Sequence, residues 1–225
     1  MLSSDDVTRL IERLPFWAHL SEPQKDYLQK NTNTAHFSAG SFLHNSETDC
    51  IGILFLKTGM LRIYITSDVG KEVTLYRLEA GDVCVLSASC LLQGIDFDIS
   101  ITAETDCDIL QLQSAALARL SAENVYVELF TYKTTAERFS DVMWTMKQIL
   151  FSSFDQRLAD FLLEECTRNH TCEIRMTQEQ IARNLGSARE VVSRMLRYFA
   201  KEGLVTVSRG EITILDAKKL RDFCK

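Results

Sequence analysis

The chain has 225 residues, 46% apolar and 25% charged, which fits one or two ordinary globular domains and excludes a low-complexity or disordered polypeptide. No apolar run approaches the roughly 18 residues of a membrane span, and the acidic start from Met1 to Asp6 lacks the apolar core of a secretion signal, so the expectation is a cytoplasmic protein without a membrane partner. The formal charge of −6 is uneven: residues 170–225 hold 11 Lys and Arg against 7 Asp and Glu, net +4, and the rest holds 14 against 24, net −10. An acidic body with a basic tail domain points toward a nucleic-acid partner.

Residues 1 to about 30 are predicted helical, with Val7, Leu10, Ile11 and Leu14 at helical spacing. Pro15 interrupts them, Phe16 and Trp17 form an apolar anchor, and Ser21 caps a second short helix with Pro23 in its first turn. From about residue 33 to 112 short strands take over: 51–56, 59–65, 71–78, 100–103 and 107–112, separated by turns at 57–59, 67–70 and 80–82 that each contain Gly. Such a series indicates a β-sandwich or jelly-roll barrel. Residues 114–150 are predicted as one long helical stretch, since no Gly or Pro occurs between Ile95 and Gly186. Its apolar positions include Val125, Leu129, Tyr132, Ala136, Phe139, Met143 and Met146, recurring at threes and fours. A stripe of this kind packs against a second copy, a partner or its own domain. A further helix, 155–168, follows.

Residues 178–197, QEQIARNLGSAREVVSRMLR, carry the most specific signal. Two short helical runs flank Gly186, which can take a positive φ cheaply. Ala182 lets the helices approach, while Ile181, Leu185, Val191, Val192, Met195 and Phe199 form the inner faces. Thr177 is an N-cap with Gln180 at the third helical position, a capping box. This is the pattern of a helix-turn-helix that reads double-stranded DNA. Arg189, Glu190, Ser193, Arg194 and Arg197 face outward on the second helix, with Thr177, Gln178 and Ser187 at the ends of the motif. Arg can bond guanine O6 and N7, and Glu can accept from cytosine N4, so Glu190 and Arg194 can read one G·C pair. The other reading of these two is an ordinary surface ion pair four residues apart. Gly203 ends the second helix, and 204–207 with 211–215 form a hairpin wing that places Arg209 near the phosphate backbone.

The expected architecture is α+β: an N-terminal double-stranded β-helix (jelly-roll) effector domain over 1–113, a dimerisation helix over 114–150, and a winged helix-turn-helix over 151–225. In this order the parts resemble the CRP/FNR family of bacterial transcription regulators over essentially the whole chain. The resemblance is sharpest at 187–194, SAREVVSR. It implies a homodimer paired through the long helix, an inverted-repeat DNA site with half-sites about one helical turn apart, and RNA polymerase as a partner. Family members with Glu and Arg at the places of Glu190 and Arg194 read the G·C pair of a TGA core. Arg189 is similar to the catabolite-activator type and Ser193 to the FNR type, which leaves the outer bases of the half-site open.

The effector segment departs from the cyclic-nucleotide binders. Their ribose-binding Gly-Glu pair is absent from 81–92, GDVCVLSASCLL, and Asp96 and Asp98 stand where a phosphate-binding Arg belongs. Two carboxylates repel a cyclic phosphate, which counts against cyclic AMP. The first cysteine is Cys50, too late for an FNR-type iron–sulfur cluster. Cys84 and Cys90, with Leu86, Ser87 and Ser89 between them, mark the expected effector site. They are read either as a thiol, heme or nitric-oxide sensor or small-ligand pocket, or as buried apolar residues. The seven cysteines are odd in number and lack C-x-x-C spacing, so neither a disulfide framework nor a zinc site is expected. No nucleophile elbow or paired base suggests an enzyme. The expectation is a sequence-specific DNA-binding regulator under an unidentified effector; the alternative is a module whose winged helix contacts protein.

Overall fold

The computed structural model describes residues 2–44, 51–85 and 99–224. Contacts divide the chain into two units, Met1–Ile65 with Leu75–Val142, and Thr66–Thr74 with Met143–Lys225.

The first unit opens with α1 (Ser4–Arg13), a 3₁₀ turn (Trp17–His19) and α2 (Glu22–Lys30). Both helices start on capping boxes, Ser3 with Asp6 and Ser21 with Gln24. Leu10 and Leu14 are buried, whereas Ile11, expected on the same face, is exposed. Phe16 is buried and meets Phe130 edge-on at 5.2 Å, the anchor that its place after Pro15 suggested.

Eight strands follow among the described residues: β1 (Thr32–Phe37), β2 (Phe42–His44), β3 (Ile53–Thr58), β4 (Met60–Thr66), β5 (Glu72–Glu79), β6 (Val83–Cys84), β7 (Ser100–Ala103) and β8 (Cys107–Leu112). They form two four-stranded sheets, ordered β1-β8-β3-β6 and β2-β7-β4-β5. Leu54, Leu56, Leu61, Ile63, Leu78, Ile101 and Ile109 form one core cluster of this β-domain. Gly59 turns β3 into β4 at φ 91°; a Cβ there would lie 2.3 Å from the Asp106 carbonyl oxygen, so the turn requires glycine. Together the two sheets give the expected jelly-roll-like domain.

The stretch expected to be one helix over 114–150 is two, α3 (Ser114–Glu123) and α4 (Val125–Phe151). Asn124 breaks it with an extended backbone, φ −145° and ψ 112°, and its side-chain Oδ1 accepts from the Tyr126 amide at 3.0 Å. A local Asn cap therefore overrides an otherwise unbroken helical composition. Of α4, only Val127 and Thr134 are buried. Val125, Leu129, Tyr132, Ala136, Phe139, Met143 and Met146 are all exposed. Their spacing alternates four and three, a heptad seam.

The second unit contains α5 (Phe154–Asn169), β9 (Glu173–Ile174), α6 (Gln178–Leu185), α7 (Arg189–Lys201), β10 (Val205–Ser208), β11 (Glu211–Ile214) and α8 (Ala217–Asp222). Strands β10, β11 and β9 form an antiparallel sheet, and Leu158, Leu162, Ile181, Val192, Leu196, Phe199, Leu204 and Ile212 pack into one core. No described helix is long and apolar enough to cross a membrane.

One ion pair ties α1 to the β-domain. Asp6, its side chain 6% exposed, receives Lys57 Nζ at 2.5 Å and two bonds from Ser3. Burial pushes the carboxyl up, but Lys57 and Ser3 outweigh it and hold the pKa below the usual 3.8. A carboxylate with a lowered folded-state pKa stabilises above its unfolded pKa, and that contribution fades as pH falls through the folded value. Asp6→Asn should therefore cost about 1–3 kcal/mol at pH 7 and progressively less in acid. Denaturant unfolding across a pH series checks this, and an equal loss at every pH would contradict it.

Candidate nucleic-acid interface and effector cluster

Local sequence builds the helix-turn-helix. Thr177 Oγ1 accepts from the Gln180 amide at 3.2 Å, and Gln180 Oε1 accepts from the Thr177 amide at 2.8 Å, so α6 starts where the capping box predicts. Gly186 ends α6 in the left-handed region at φ 59°, and the amides of Gly186 and Ser187 both reach the Ala182 carbonyl. Buried Ile181 and Ala182 of α6 and Val192 and Phe199 of α7 share the unit's core. Leu185, Val191 and Met195 are half-buried. Leu196, fully buried, belongs to this inner face and was missed, because Met195 beside it satisfied the apolar pattern as well.

Arg189, Glu190, Arg194 and Arg197 are exposed on α7, whereas Ser193 and Ser187 are half-buried. No ion pair joins Glu190 to Arg194 among the described residues, so both end groups are available to a ligand. Arg197 folds back to donate from Nε to the Ser193 carbonyl at 3.3 Å, turning partly along its own helix. Beyond α7, Gly203 at φ 70° completes the cap: its amide bonds the Ala200 carbonyl and the Leu204 amide bonds that of Phe199. The β10–β11 hairpin turns at Arg209 and Gly210, with Ser208 opposite Glu211.

An open cleft of about 500 Å³ joins these elements. Its lining brings together Thr177 and Gln178 at the start of α6, Arg189 at the start of α7, and Arg209 at the hairpin tip. Two arginines and a helix N-terminus face one cavity, an arrangement suited to an anionic backbone. Glu179 also lines it.

Arg157 on α5 is a supporting residue that sequence reasoning missed. Its Nη1 donates to the Leu185 carbonyl at 3.0 Å, filling an orphan acceptor at the end of α6 and placing a cation at the negative end of that helix. Burial lowers its pKa. The contact spans 28 residues, and no local pattern announces it.

Of the expected effector residues, Leu86, Ser87, Ser89 and Cys90 lie outside the described residues, as do Asp96 and Asp98. Cys84 is described and fully buried in the β-domain core, paired opposite Leu54. A buried thiol in an apolar core lacks the exposure a reactive or metal-binding cysteine needs, so Cys84 takes the apolar reading. Near it stands a polar group that the sequence did not single out. The Tyr76 hydroxyl is buried beside the Cys84 thiol, and burial followed by that neighbour raises its pKa well above 10. The Arg138 guanidinium of α4 sits 5.4 Å from the Tyr76 ring centre, and its Nη1 bonds Asp141 Oδ2 at 2.9 Å. Arg138 Nε is buried with no hydrogen-bond partner among the described residues. Buried orphan donors are costly. Among the described residues no cluster of three or more His, Cys, Asp or Glu could hold a metal.

Two family models match the chain: the Crp-like helix-turn-helix domain over residues 156–223, and the cyclic nucleotide-binding domain over 34–124. The crystal structure of a CRP/FNR-family transcriptional regulator from Eubacterium rectale is 46% identical, with a TM-score of 0.91 over 95% of this chain and 99% of that one. The cAMP-activated global transcriptional regulator Vfr of Pseudomonas aeruginosa is 24% identical, covering 86% of this chain and 94% of its own. The transcriptional regulator Flp of Lacticaseibacillus casei is 25% identical, covering 93% and 95%.

Proposed function

The chain belongs to the CRP/FNR family of DNA-binding transcription regulators with an effector-binding domain, and on that premise we propose that it acts as a homodimer that reads an inverted repeat with TGA-type half-sites. The observation that carries this reading is the cleft joining Thr177, Gln178, Arg189 and Arg209, with Glu190 and Arg194 free on the adjoining face of α7. Arg209, Thr177 and Gln178 hold phosphates and fix register. Arg189, Glu190 and Arg194 read base edges, and Ser187, Ser193 and Arg197 flank them. RNA polymerase is the protein partner implied by the family.

The exposed seam on α4 supports the dimer. Seven apolar or small residues from Val125 to Met146 face solvent at heptad spacing, a surface that a soluble chain covers. Two such seams would pair two copies about a two-fold axis, the symmetry that an inverted repeat shares.

The effector belongs to the β-domain. Burial of Cys84 speaks against a thiol or heme reading there. The buried, unpartnered Arg138 Nε beside the Tyr76 ring instead favours a small polar or anionic molecule contacting β5 and α4. An effector can switch DNA binding only by preferring one arrangement of α4 over another.

Fluorescence anisotropy with an inverted-repeat TGA duplex and a scrambled duplex, at two salt concentrations, tests the DNA reading. Tight, sequence-preferring binding is expected; absence of binding to both at low salt would favour the protein-contact alternative. Glu190→Ala should relax the preference at the central G·C pair by about 1–3 kcal/mol, whereas an equal loss on every sequence would remove its base-reading role. Phe139→Glu combined with Met143→Glu should convert the dimer to a folded monomer by light scattering. An unchanged mass would place the dimer contact elsewhere.

A further inference from the structure

Two cysteines in the DNA-binding unit stand apart from everything described so far. Cys166 lies in the last turn of α5, and Cys172 just before β9. Their sulfurs are 3.0 Å apart, about 1 Å more than a disulfide bond requires. Cys172 is exposed and Cys166 half-buried, so the pair is open to solvent from one side. The five residues between them fold back tightly. His170 takes a left-handed conformation at φ 52°, and the Thr171 amide bonds the Cys166 carbonyl at 3.2 Å. This turn already brings the two sulfurs within about 1 Å of bonding distance.

We propose that Cys166 and Cys172 form a reversible dithiol–disulfide site that exchanges with small disulfides. The exposed Cys172 reacts first: its thiolate attacks one sulfur of a small disulfide RSSR, forming a Cys172–S–S–R bond and expelling RS⁻. Cys166 then loses its proton, and its thiolate attacks Cys172 Sγ and expels the second RS⁻. In sum, two protein thiols and RSSR give one protein disulfide and two RSH, and two electrons pass from the protein to the small molecule. The order follows from the site. Cys172 is exposed and Cys166 half-buried, and the hydrogen bond shared with Cys172, and then burial, raise the Cys166 pKa, which disfavours Cys166 as the first nucleophile. Among the other described cysteines, Cys84 and Cys107 are buried, and burial pushes Cys224 up to about 12, where thiolate is scarce at neutral pH.

The bond would tie the end of α5 to the sheet that carries the wing. The Cys172 carbonyl accepts from the Ile214 amide of β11 at 3.0 Å, and Glu173 and Ile174 pair with Thr213 and Ile212. Oxidation thus closes a short ring between a core helix and the edge of the three-stranded sheet.

The test uses the full-length chain with oxidised glutathione as probe, followed by acid quench, alkylation and tryptic mapping. Cleavage after Arg157, Arg168 and Arg175 puts Cys166 in the fragment Leu158–Arg168 and Cys172 in Asn169–Arg175. The expected product is these two fragments joined by a disulfide. In Cys166→Ser the reaction stops halfway, and glutathione should accumulate on Cys172 to roughly tenfold the wild-type level. The proposal is overturned if wild-type Cys172 holds glutathione as persistently as the variant does. It is equally overturned if both thiols are alkylated after exposure.

Discussion

α4 is asked to satisfy two surfaces at once, and much of the molecule follows from that demand. One side of the helix, through Val127, Phe130, Thr134, Arg138 and Val142, turns toward the β-domain or its polar cluster. The other carries Val125, Leu129, Tyr132, Ala136, Phe139, Met143 and Met146 into solvent. A helix apolar on two sides has no single buried face to lock it in place. Its inner side is held by specific contacts at the β-domain, where Phe130 meets Phe16. Its outer side stays exposed. The proposed effector contact and the proposed pairing seam thus lie on opposite sides of one helix.

The helix-turn-helix was legible because its signals are local. A capping residue, a small residue at the crossing, a glycine in the left-handed region and a glycine cap after α7 lie within 27 residues, and each acts on its near neighbours. The outward face of α7 followed from helical period alone. The β-domain was legible in outline, since β3, β4, β5, β7 and β8 carry β-branched or aromatic residues between Gly turns. β1 was not seen as a separate strand, because Thr32–Phe37 is mostly polar and exposed and owes its conformation to a six-residue register with β8.

What stayed hidden depends on distance in sequence or on a single side chain. Asn124 breaks a helix that composition would extend, because one amide oxygen caps the next turn. Arg157 reaches Leu185 across the unit. Tyr76 and Arg138 come from a strand and a helix far apart in sequence, so neither stands out by spacing. Cys84, open from sequence to a sensor role or a core role, is fully buried in the β-domain core. The Tyr76–Arg138 pair is thus a product of tertiary structure, whereas the exposed face of α7 is a product of local structure.

The residues along the outer side of α4 also set how a pair of these helices could move. Ala136 is the smallest member of the seam and stands between Tyr132 and Phe139. The hydroxyls of Thr131, Thr135 and Ser140 nearby bond carbonyls four residues back in their own helix and ask nothing of a neighbour. Such back-bonding slightly loosens and bends a helix. In a pair, two helices would come nearest at Ala136 and be spaced by rings on either side, with the most compliant backbone at the same level. In such a pair Ala136 would act as a fulcrum, with Tyr132 on one side and Phe139 on the other setting how far the two helices tilt about it.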